Sequence, residues 1–353
     1  METKIDAFNN RSNWMKAFFP WKVWREVEYA QPEVEFVDPK KVATGEKVER
    51  VYLWGNEEGG YNQWAREIAV RDGAEIILAE DGFIKSVDTW ANRMAPLRYR
   101  RGCSVIFDRL GYYFDGTRTN ELEQMLESAE EIGAEERFEV RRLMTRIVRE
   151  QITKYNHQSR NMRTFGRTGR RKVLVVDQSY GDASIRLGMA DESTFARMLA
   201  DARRENPDAD ILVKTHPDTV VGARKGYYAG LKAEGNVFKV TDAVNPYVIL
   251  KEVDTVYVCT TQLGFEALMA GKRVKVYGMP FYAGWGVTED ALKCPRRTRK
   301  RDLEELFHFF YLRYTKWVDP IERRVCTLDE AIDRMVKLRK EYRWTKYLSW
   351  IIR

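Results

Sequence analysis

The sequence predicts an α/β fold of two Rossmann-like, doubly wound domains that face each other across a cleft. Two series of short apolar runs, typical of buried parallel strands, alternate with helical segments over residues 48–155 and 172–299. The intervening residues 156–171 are polar and basic, which indicates a linker. A chain of 353 residues is long enough for two domains of about 150 residues each.

The first domain is predicted to begin at residue 48, after an N-terminal extension over residues 1–47 that fits no clear pattern. Its elements are predicted in the order strand, helix, strand, hairpin and helix. They lie at 48–55, at 61–71, at 74–79, at Ser104–Asp108 joined to Tyr112–Asp115 around Gly111, and at 121–154.

The second domain opens with an almost uninterrupted apolar run, which is typical of a strand buried on both faces. Its predicted strands lie at 172–177, 211–214, 237–240, 255–259 and 274–277. Helices are predicted between them, at 194–206, at 246–251 and from about residue 262. The last segment, residues 300–353, is predicted to form C-terminal helices.

The bulk composition limits the classes of partner. A net charge of +7 suggests an anionic partner. Nucleic acid is not expected, because the basic clusters lack an aromatic–basic recognition motif. No apolar run approaches the ~20 residues of a membrane span, and no secretory signal is visible, so a cytoplasmic location is expected. The four cysteines are far apart, which predicts reduced thiols and no zinc site.

Two aromatic segments are each open to two interpretations. Residues 342–353 mix cations with aromatic side chains, so they predict either peripheral contact with the inner face of an anionic membrane or a helix docked on the first domain. Residues 277–286 alternate glycines with aromatics. They predict either a surface that stacks on a base or sugar or a packed loop.

Four loops follow predicted strands and carry reactive side chains. In open α/β sheets, ligands bind beyond the carboxyl ends of the strands, so these loops are expected to share one site. They are Glu80–Gly82, Gln178–Ser184, Lys214–Pro217 and Thr260–Glu266.

The segment Thr260–Glu266 predicts a nucleotide site. Hydroxyl residues precede a helix start, where free N–H groups and the helix dipole favour an anion. A glutamate in the first turn of that helix can accept hydrogen bonds from both hydroxyls of a ribose. The alternative is that Thr260 and Thr261 cap the helix and that Glu266 only stabilises it through the dipole.

The other loops supply candidate acids, bases and cations. Glu80 or Asp81 could act as a general base or acid at the cleft, unless the Asp-Gly pair merely forms a turn. Asp182 could act as a nucleophile or position a sugar hydroxyl, or it could cap the following helix. His216 could donate to a phosphate or carboxylate, with Lys214 adding charge, or it could make ordinary loop hydrogen bonds.

Together these segments resemble the capsule polysaccharide synthesis family of KpsC/LipB-type proteins, which are β-Kdo transferases. The resemblance runs from about residue 50 to about residue 336, and the string Phe281–Gly286 is its most specific part. The other matching segments are Glu80–Ser86, Tyr112–Asp115, Gln178–Ile185, Lys214–Asp218, Leu263–Leu268 and Trp317–Pro320.

The resemblance implies a cytoplasmic enzyme of the GT-B fold that transfers Kdo, a sugar acid, from CMP-Kdo with retention of configuration. It implies a covalent Kdo adduct on an aspartate, for which Asp182 occupies the matching motif. Glu80, with Asp81 as second choice, would deprotonate the acceptor hydroxyl. No metal or other cofactor is implied, and the acceptor would be a glycan or a lipid-linked glycan.

By the same resemblance, His216 would bind the phosphate of CMP and Glu266 its ribose. The remaining residues assigned to sugar-nucleotide binding are Gln178, Ser184, Thr260, Thr261 and Gly264. Lys214 and Arg186 would hold the carboxylate of Kdo.

The chain also departs from the family pattern. The best-known members join two such modules, and this chain has one. Ser86–Trp90 stands where the family has Gly-Leu-Gly, and Gln262 stands where a smaller hydroxyl residue is common. A GT-B enzyme for a UDP- or GDP-sugar, or a sugar-nucleotide epimerase, is the alternative.

Overall fold

The computed structural model describes residues 15–18, 25–55, 60–215, 219 and 224–351, with side chains described up to residue 343. The strands are β1 Met15–Phe18, β2 Val34–Phe36, β3 Arg50–Trp54, β4 Glu75–Asp81, β5 Ser104–Asp108, β6 Lys172–Val176, β7 Asp210–Lys214, β8 Val237–Val240, β9 Thr255–Val258, β10 Arg273–Val276, β11 Glu289–Asp290, β12 Thr315–Asp319 and β13 Arg324–Val325.

The helices cover both faces of these strands. They are α1 Arg25–Tyr29, α2 Pro39–Ala43, α3 Gly60–Asp72, α4 Glu121–Ser128, α5 Ala134–Glu150, α6 Ala183–Leu187, α7 Glu192–Glu205, α8 Pro246–Leu250, α9 Leu263–Met269, α10 Leu303–Phe307 and α11 Leu328–Ile351, with a 3₁₀ turn at Leu97–Tyr99 and a π-helical turn at His308–Tyr314. None of the described helices is long and apolar enough to cross a membrane.

The second half of the chain forms a six-stranded sheet in the order β11-β10-β9-β6-β7-β8, and all its strand pairs are parallel. Every residue of β6 and of β7 is buried. Successive side chains of β6 enter different core clusters: Val173 lies in one cluster and Leu174 in another. Because successive strand residues point to opposite faces, both faces need apolar side chains, which is why this sheet could be predicted.

The first half forms a seven-stranded sheet in the order β13-β12-β5-β4-β3-β1-β2. Strands β1 to β4 pair in parallel, whereas β5 is antiparallel to β4 and β12 is antiparallel to β5. Two α/β sheets with helices on both faces confirm the predicted fold class, with an antiparallel edge on the first sheet.

The predicted hairpin around Gly111 is wrong. Ser104–Asp108 is a strand, but it pairs with β4 and β12, and Tyr112–Asp115 forms turns. The reason is local. The carboxylate of Asp108 accepts hydrogen bonds from the backbone N–H groups of Leu110 and Gly111, at 2.7 and 2.9 Å. These amides close a turn and are not available for a β ladder.

Segments outside residues 48–155 also join the first sheet. β1 and β2 extend one side of it and β12 the other, while α11 packs against α5. The hydroxyl of Tyr342 donates to Asp88, so the last helix contacts the first half at the start of the predicted tail. The predicted domain boundaries themselves stay predictions.

A cluster of aromatic rings joins the two halves. Phe281 stacks on Phe310 with centroids 4.2 Å apart and lies 5.4 Å from Phe83 and 5.1 Å from Phe265. Trp285 is 1% exposed and donates its indole N–H to the carbonyl of Phe281. The structure therefore supports the packed interpretation of residues 277–286, although Phe281 also lines a cavity described below.

Candidate functional site

The carboxyl ends of β4, β6, β7 and β9 meet at two adjoining cavities. The large cavity measures about 580 Å³ and the small cavity about 110 Å³. The predicted site residues that line the large cavity are Glu80, Gln178, Asp182, Ser184, Thr260 and Thr261. Those that line the small cavity are Lys214, Thr261 and Glu266. The structure thus brings most of the predicted residues together, as the position of loops at strand ends suggests.

The two carboxylates that end β4 have different surroundings. Asp81 is 7% exposed, forms an ion pair with the ammonium of Lys85 and lines neither cavity. Glu80 lines the large cavity, and its Oε1 accepts the backbone N–H of Asp81 at 2.9 Å. Since neighbouring strand residues point to opposite faces, only one of the pair can face the cleft. That residue is Glu80.

The environment of Glu80 suits proton transfer near neutral pH. Burial and, to a smaller extent, the neighbouring Asp81 carboxylate raise the pKa of its carboxyl to about 7, against the opposing influence of Lys154 and Lys85. A carboxyl group with this pKa can accept a proton at neutral pH and release it again.

Asp182 is the N-cap of α6, as the alternative interpretation predicted. Its Oδ1 accepts hydrogen bonds from the backbone N–H of Ser184 at 2.9 Å and from the hydroxyl of Ser184 at 2.7 Å. Its Oδ2 lies 4.0 Å from Nη1 of Arg224, and the side chain is 42% exposed. One oxygen therefore holds the helix start, and the side chain still lines the large cavity.

Gln178 joins the loop after β6 to the loop after β9. Its Nε2 donates to Thr260 Oγ1 at 2.9 Å, and its Oε1 accepts the backbone N–H of Thr260 at 3.0 Å. The hydroxyls of Ser184 and Thr260 lie 3.4 Å apart. Gln178 and Thr260 are both buried, so these contacts position the two loops at the wall of the large cavity.

Helix α9 begins at a different residue from the one that the capping interpretation predicts. Its N-cap is Gln262, whose side chain makes no capping hydrogen bond, but the hydroxyl of Thr261 accepts the backbone N–H of Leu263 at 3.4 Å. Gly264 lines neither cavity. A Cβ there would collide with the hydroxyl of Tyr282, which donates to the carbonyl of Thr261 at 2.6 Å. The glycine is explained by this packing, and its role in nucleotide binding stays a prediction.

Glu266 and Lys214 face the small cavity from two loops. Glu266 is 2% exposed and accepts hydrogen bonds from the Thr153 hydroxyl and from Gln262 Nε2, the latter at 3.0 Å. Burial raises its pKa to about 7. Burial also lowers the pKa of Lys214 to about 8, against the opposing influence of Glu266. Lys214 makes no ion pair with any described residue, and it lines the wall of the small cavity.

Besides Asp81 and Gly264, two further predicted residues are not brought to the site by the described structure. His216 lies outside the described residues, so its assignment to a phosphate stays a prediction. Arg186 is exposed and lines neither cavity.

Sequence reasoning missed Lys154, which lines both cavities. Burial alone would lower the pKa of this ammonium. Its pKa is nevertheless raised, because electrostatic interactions with Tyr155, Asp81, Tyr113 and Glu80 outweigh the effect of burial. Lys154 therefore stays charged. The sequence predicts a helix through residue 154, but α5 ends at Glu150 and Gln151 adopts a left-handed conformation with φ of 53°. The chain turns there and carries Lys154 into the cleft.

A family model described as capsule polysaccharide biosynthesis protein matches residues 134–317. The chain belongs to this family. It is 34% identical, over 308 residues, to the capsule polysaccharide modification protein LipA of Neisseria meningitidis. It is 36% identical, over 271 residues, to the lipopolysaccharide-processing protein LpsZ of Rhizobium meliloti. These matches include 84% and 75% of this chain but only 42% of LipA and 59% of LpsZ.

Two solved structures are similar along most of the chain. The β-Kdo 2,4 transferase of Thermosulfurimonas dismutans KpsC is 34% identical with a TM-score of 0.80, and the match covers 91% of this chain and 98% of that one. The β-Kdo 2,7 transferase of the same protein is 26% identical with a TM-score of 0.64, and covers 92% and 99%. The predicted family is thus confirmed.

Proposed function

We propose that this chain is a retaining β-Kdo glycosyltransferase of capsule or surface polysaccharide synthesis, with CMP-Kdo as its sugar donor. The observation that carries the proposal is the pairing of Glu80 and Asp182 across one large cavity, beside a small cavity lined by Lys214 and Glu266. The similarity to two β-Kdo transferases supports the sugar.

Two carboxylates are what a double displacement needs. In the first step, Asp182 attacks the anomeric carbon of Kdo, the bond from that carbon to the phosphate oxygen breaks, and CMP leaves with the electron pair. In the second step, Glu80 takes the proton of an acceptor hydroxyl, whose oxygen attacks the same carbon and releases Asp182. Each attack inverts the carbon, so the two together retain its configuration.

The small cavity is suited to the nucleotide. Glu266 is positioned by Thr153 and Gln262, so a carboxylate at this place can accept hydrogen bonds from ribose hydroxyls. Lys214 contributes positive charge to the same wall. Lys154 lines both cavities, so its ammonium is placed for the anionic groups where sugar and nucleotide join.

The linkage follows from the degree of similarity. The 2,4 transferase is more similar to this chain than the 2,7 transferase, both in identity and in TM-score. We therefore propose a β-2,4 linkage to a glycan or lipid-linked glycan.

The first test is intact mass after incubation with CMP-Kdo in the absence of acceptor. The wild-type protein should gain the mass of one Kdo residue, on a peptide that contains Asp182. Asp182→Asn should gain none and lose turnover, although asparagine caps a helix as well as aspartate and should preserve α6. A folded Asp182→Asn protein with normal turnover would remove the nucleophile from the proposal.

A donor screen separates the proposal from its alternative. CMP should raise the midpoint of thermal unfolding, because a ligand that binds only the folded state stabilises it. UDP and GDP should not. Stabilisation by UDP or GDP instead of CMP would favour a different sugar nucleotide, or an epimerase.

A further inference from the structure

A third cavity lies beyond the small cavity. It measures about 230 Å³ and is formed by residues 156–161 together with α11. Gln158 lines both this cavity and the small cavity, and none of the residues assigned above to the transfer reaction lines it. We call it the arginine cavity, after Arg160, Arg339 and Arg343 in its wall.

Positive charge gathers at the arginine cavity with little to balance it. Among the residues whose side chains are described, Arg160 and Arg343 form no ion pair. Arg339 has one carboxylate near it, that of Glu150 at 3.8 Å. Burial lowers the pKa of Arg339 to about 10, and repulsion from Arg160 and Arg343 contributes in the same direction. Like charges held together in this way favour a bound anion.

The same wall contains two buried polar atoms without a partner. Arg339 is 3% exposed and donates from Nη1 to the carbonyl of Glu150 at 2.9 Å, but its Nε has no hydrogen-bond partner. Gln158 is 8% exposed, and its Oε1 also has none. A buried polar group left without a hydrogen bond destabilises the fold, so a ligand oxygen or hydroxyl here would recover stability.

We infer that the arginine cavity binds a phosphate group, separately from the cavities proposed for the transfer reaction. Guanidinium groups match the oxygens of phosphate with paired, charge-assisted hydrogen bonds, and a phosphate hydroxyl or attached alcohol can donate to Gln158. The phosphate is either free or the headgroup of a lipid. A headgroup is within reach of this cavity if the tail contacts a membrane, because Arg343 adjoins residues 344–353, part of the segment predicted to contact an anionic membrane.

Titration with inorganic phosphate tests the site. Arg160→Gln and Arg343→Gln are suitable variants because both residues are less buried than Arg339. Each should weaken phosphate binding about tenfold through the loss of charge-assisted hydrogen bonds. The control is Lys337→Gln with Lys340→Gln, which removes two exposed charges from α11 outside the cavity and should bind phosphate as the wild type does.

Sedimentation with vesicles identifies the source of the phosphate. If it is a headgroup, the double variant Arg160→Gln/Arg343→Gln should sediment less than the lysine control with phosphatidylglycerol vesicles. Neither protein should sediment with phosphatidylcholine vesicles. If the phosphate is free, the double variant should sediment as the control does, while its affinity for inorganic phosphate falls.

Two results would overturn the inference. The first is that neither measurement separates the arginine double variant from the lysine control. The second is that phosphate binding is lost in Lys214→Gln and kept in the arginine variants, which would place the anion in the small cavity. Both measurements work without any transfer reaction, so they stand apart from the tests of the proposed function.

Discussion

Two adjacent carboxylates at the end of β4 have different surroundings because a strand turns successive side chains to opposite faces. Glu80 faces the large cavity, while Asp81 is buried beside Lys85. The sequence alone left both as candidate bases. The alternation along a strand was predictable, but which of the two faces the cleft depends on how β4 packs against β5.

Glu80→Gln should lower kcat about 100-fold or more, the usual contribution of a general base. Wild-type activity should fall as pH drops through about 7, because the carboxyl has a raised pKa and must be deprotonated to accept a proton. The measurement is kcat against pH for both proteins. The proposal fails if the acidic limb of the profile persists unchanged in Glu80→Gln.

Asp81→Asn is the matched control for that experiment. It should leave kcat per folded molecule within a few-fold of wild type. It should lower the free energy of unfolding by about 3 kcal/mol, because the buried charge of Lys85 loses its carboxylate partner. Urea denaturation measures the second effect. A larger loss of kcat in Asp81→Asn than in Glu80→Gln would indicate that Asp81, and not Glu80, is the general base.

At the scale of elements, β6 to β10 of the six-stranded sheet could be predicted from their apolar runs, and β6 and β7 are buried at every position, whereas the polar two-residue strand β11 could not be predicted. The site loops could also be predicted, since they follow those strands. Lys154 could not, because nothing in the sequence around it marks the end of α5 at Glu150. The hydrogen bond from Thr153 to Glu266 joins residues 113 positions apart, so no local sequence pattern predicts it.

The start of α9 gives a prediction about packing. Gly264→Ala should lower the free energy of unfolding by about 1–3 kcal/mol, because the added Cβ collides with the Tyr282 hydroxyl and lies 2.7 Å from its Cζ. Tyr282→Phe in the same chain should recover part of this loss, since it removes the nearest atom. Urea denaturation of the two single variants and the double variant gives the coupling between them. Additive losses would show that the glycine is not needed for this contact.

At the scale of the whole molecule, the two halves are joined through buried charge as well as aromatic rings. Glu123 of α4 accepts hydrogen bonds from Arg296 at 2.7 Å and from Arg297 at 3.0 Å. Arg297 also donates to the carbonyls of Pro280 and Ala283, in the packed aromatic segment. The walls of the large cavity come from both halves, so these contacts fix the separation of Glu80 from Asp182, the two carboxylates of the proposed reaction.

The proposed site should reduce the stability of the fold at alkaline pH. Glu266 has a pKa of about 7 in the folded protein against an ordinary value of 4.5, so the folded state binds its proton more tightly than the unfolded state does. The stability that this proton confers is complete below pH 4.5 and is lost as pH rises through 7. At pH 8 the charged carboxylate therefore costs about 3 kcal/mol relative to a neutral group.

Glu266→Gln should consequently raise the free energy of unfolding by up to about 3 kcal/mol at pH 8, and by much less at pH 4.5, where the wild-type carboxyl is protonated in the folded state and about half protonated in the unfolded state. Urea denaturation at the two pH values measures the difference, with Glu234→Gln as a control at an exposed glutamate. The same variant should bind CMP more weakly, because an amide replaces the carboxylate proposed to hold the ribose. An equal change in stability at both pH values would show that Glu266 is not held in this raised-pKa state. A more stable protein that has lost CMP affinity would show that this carboxylate is retained for binding at the expense of the fold.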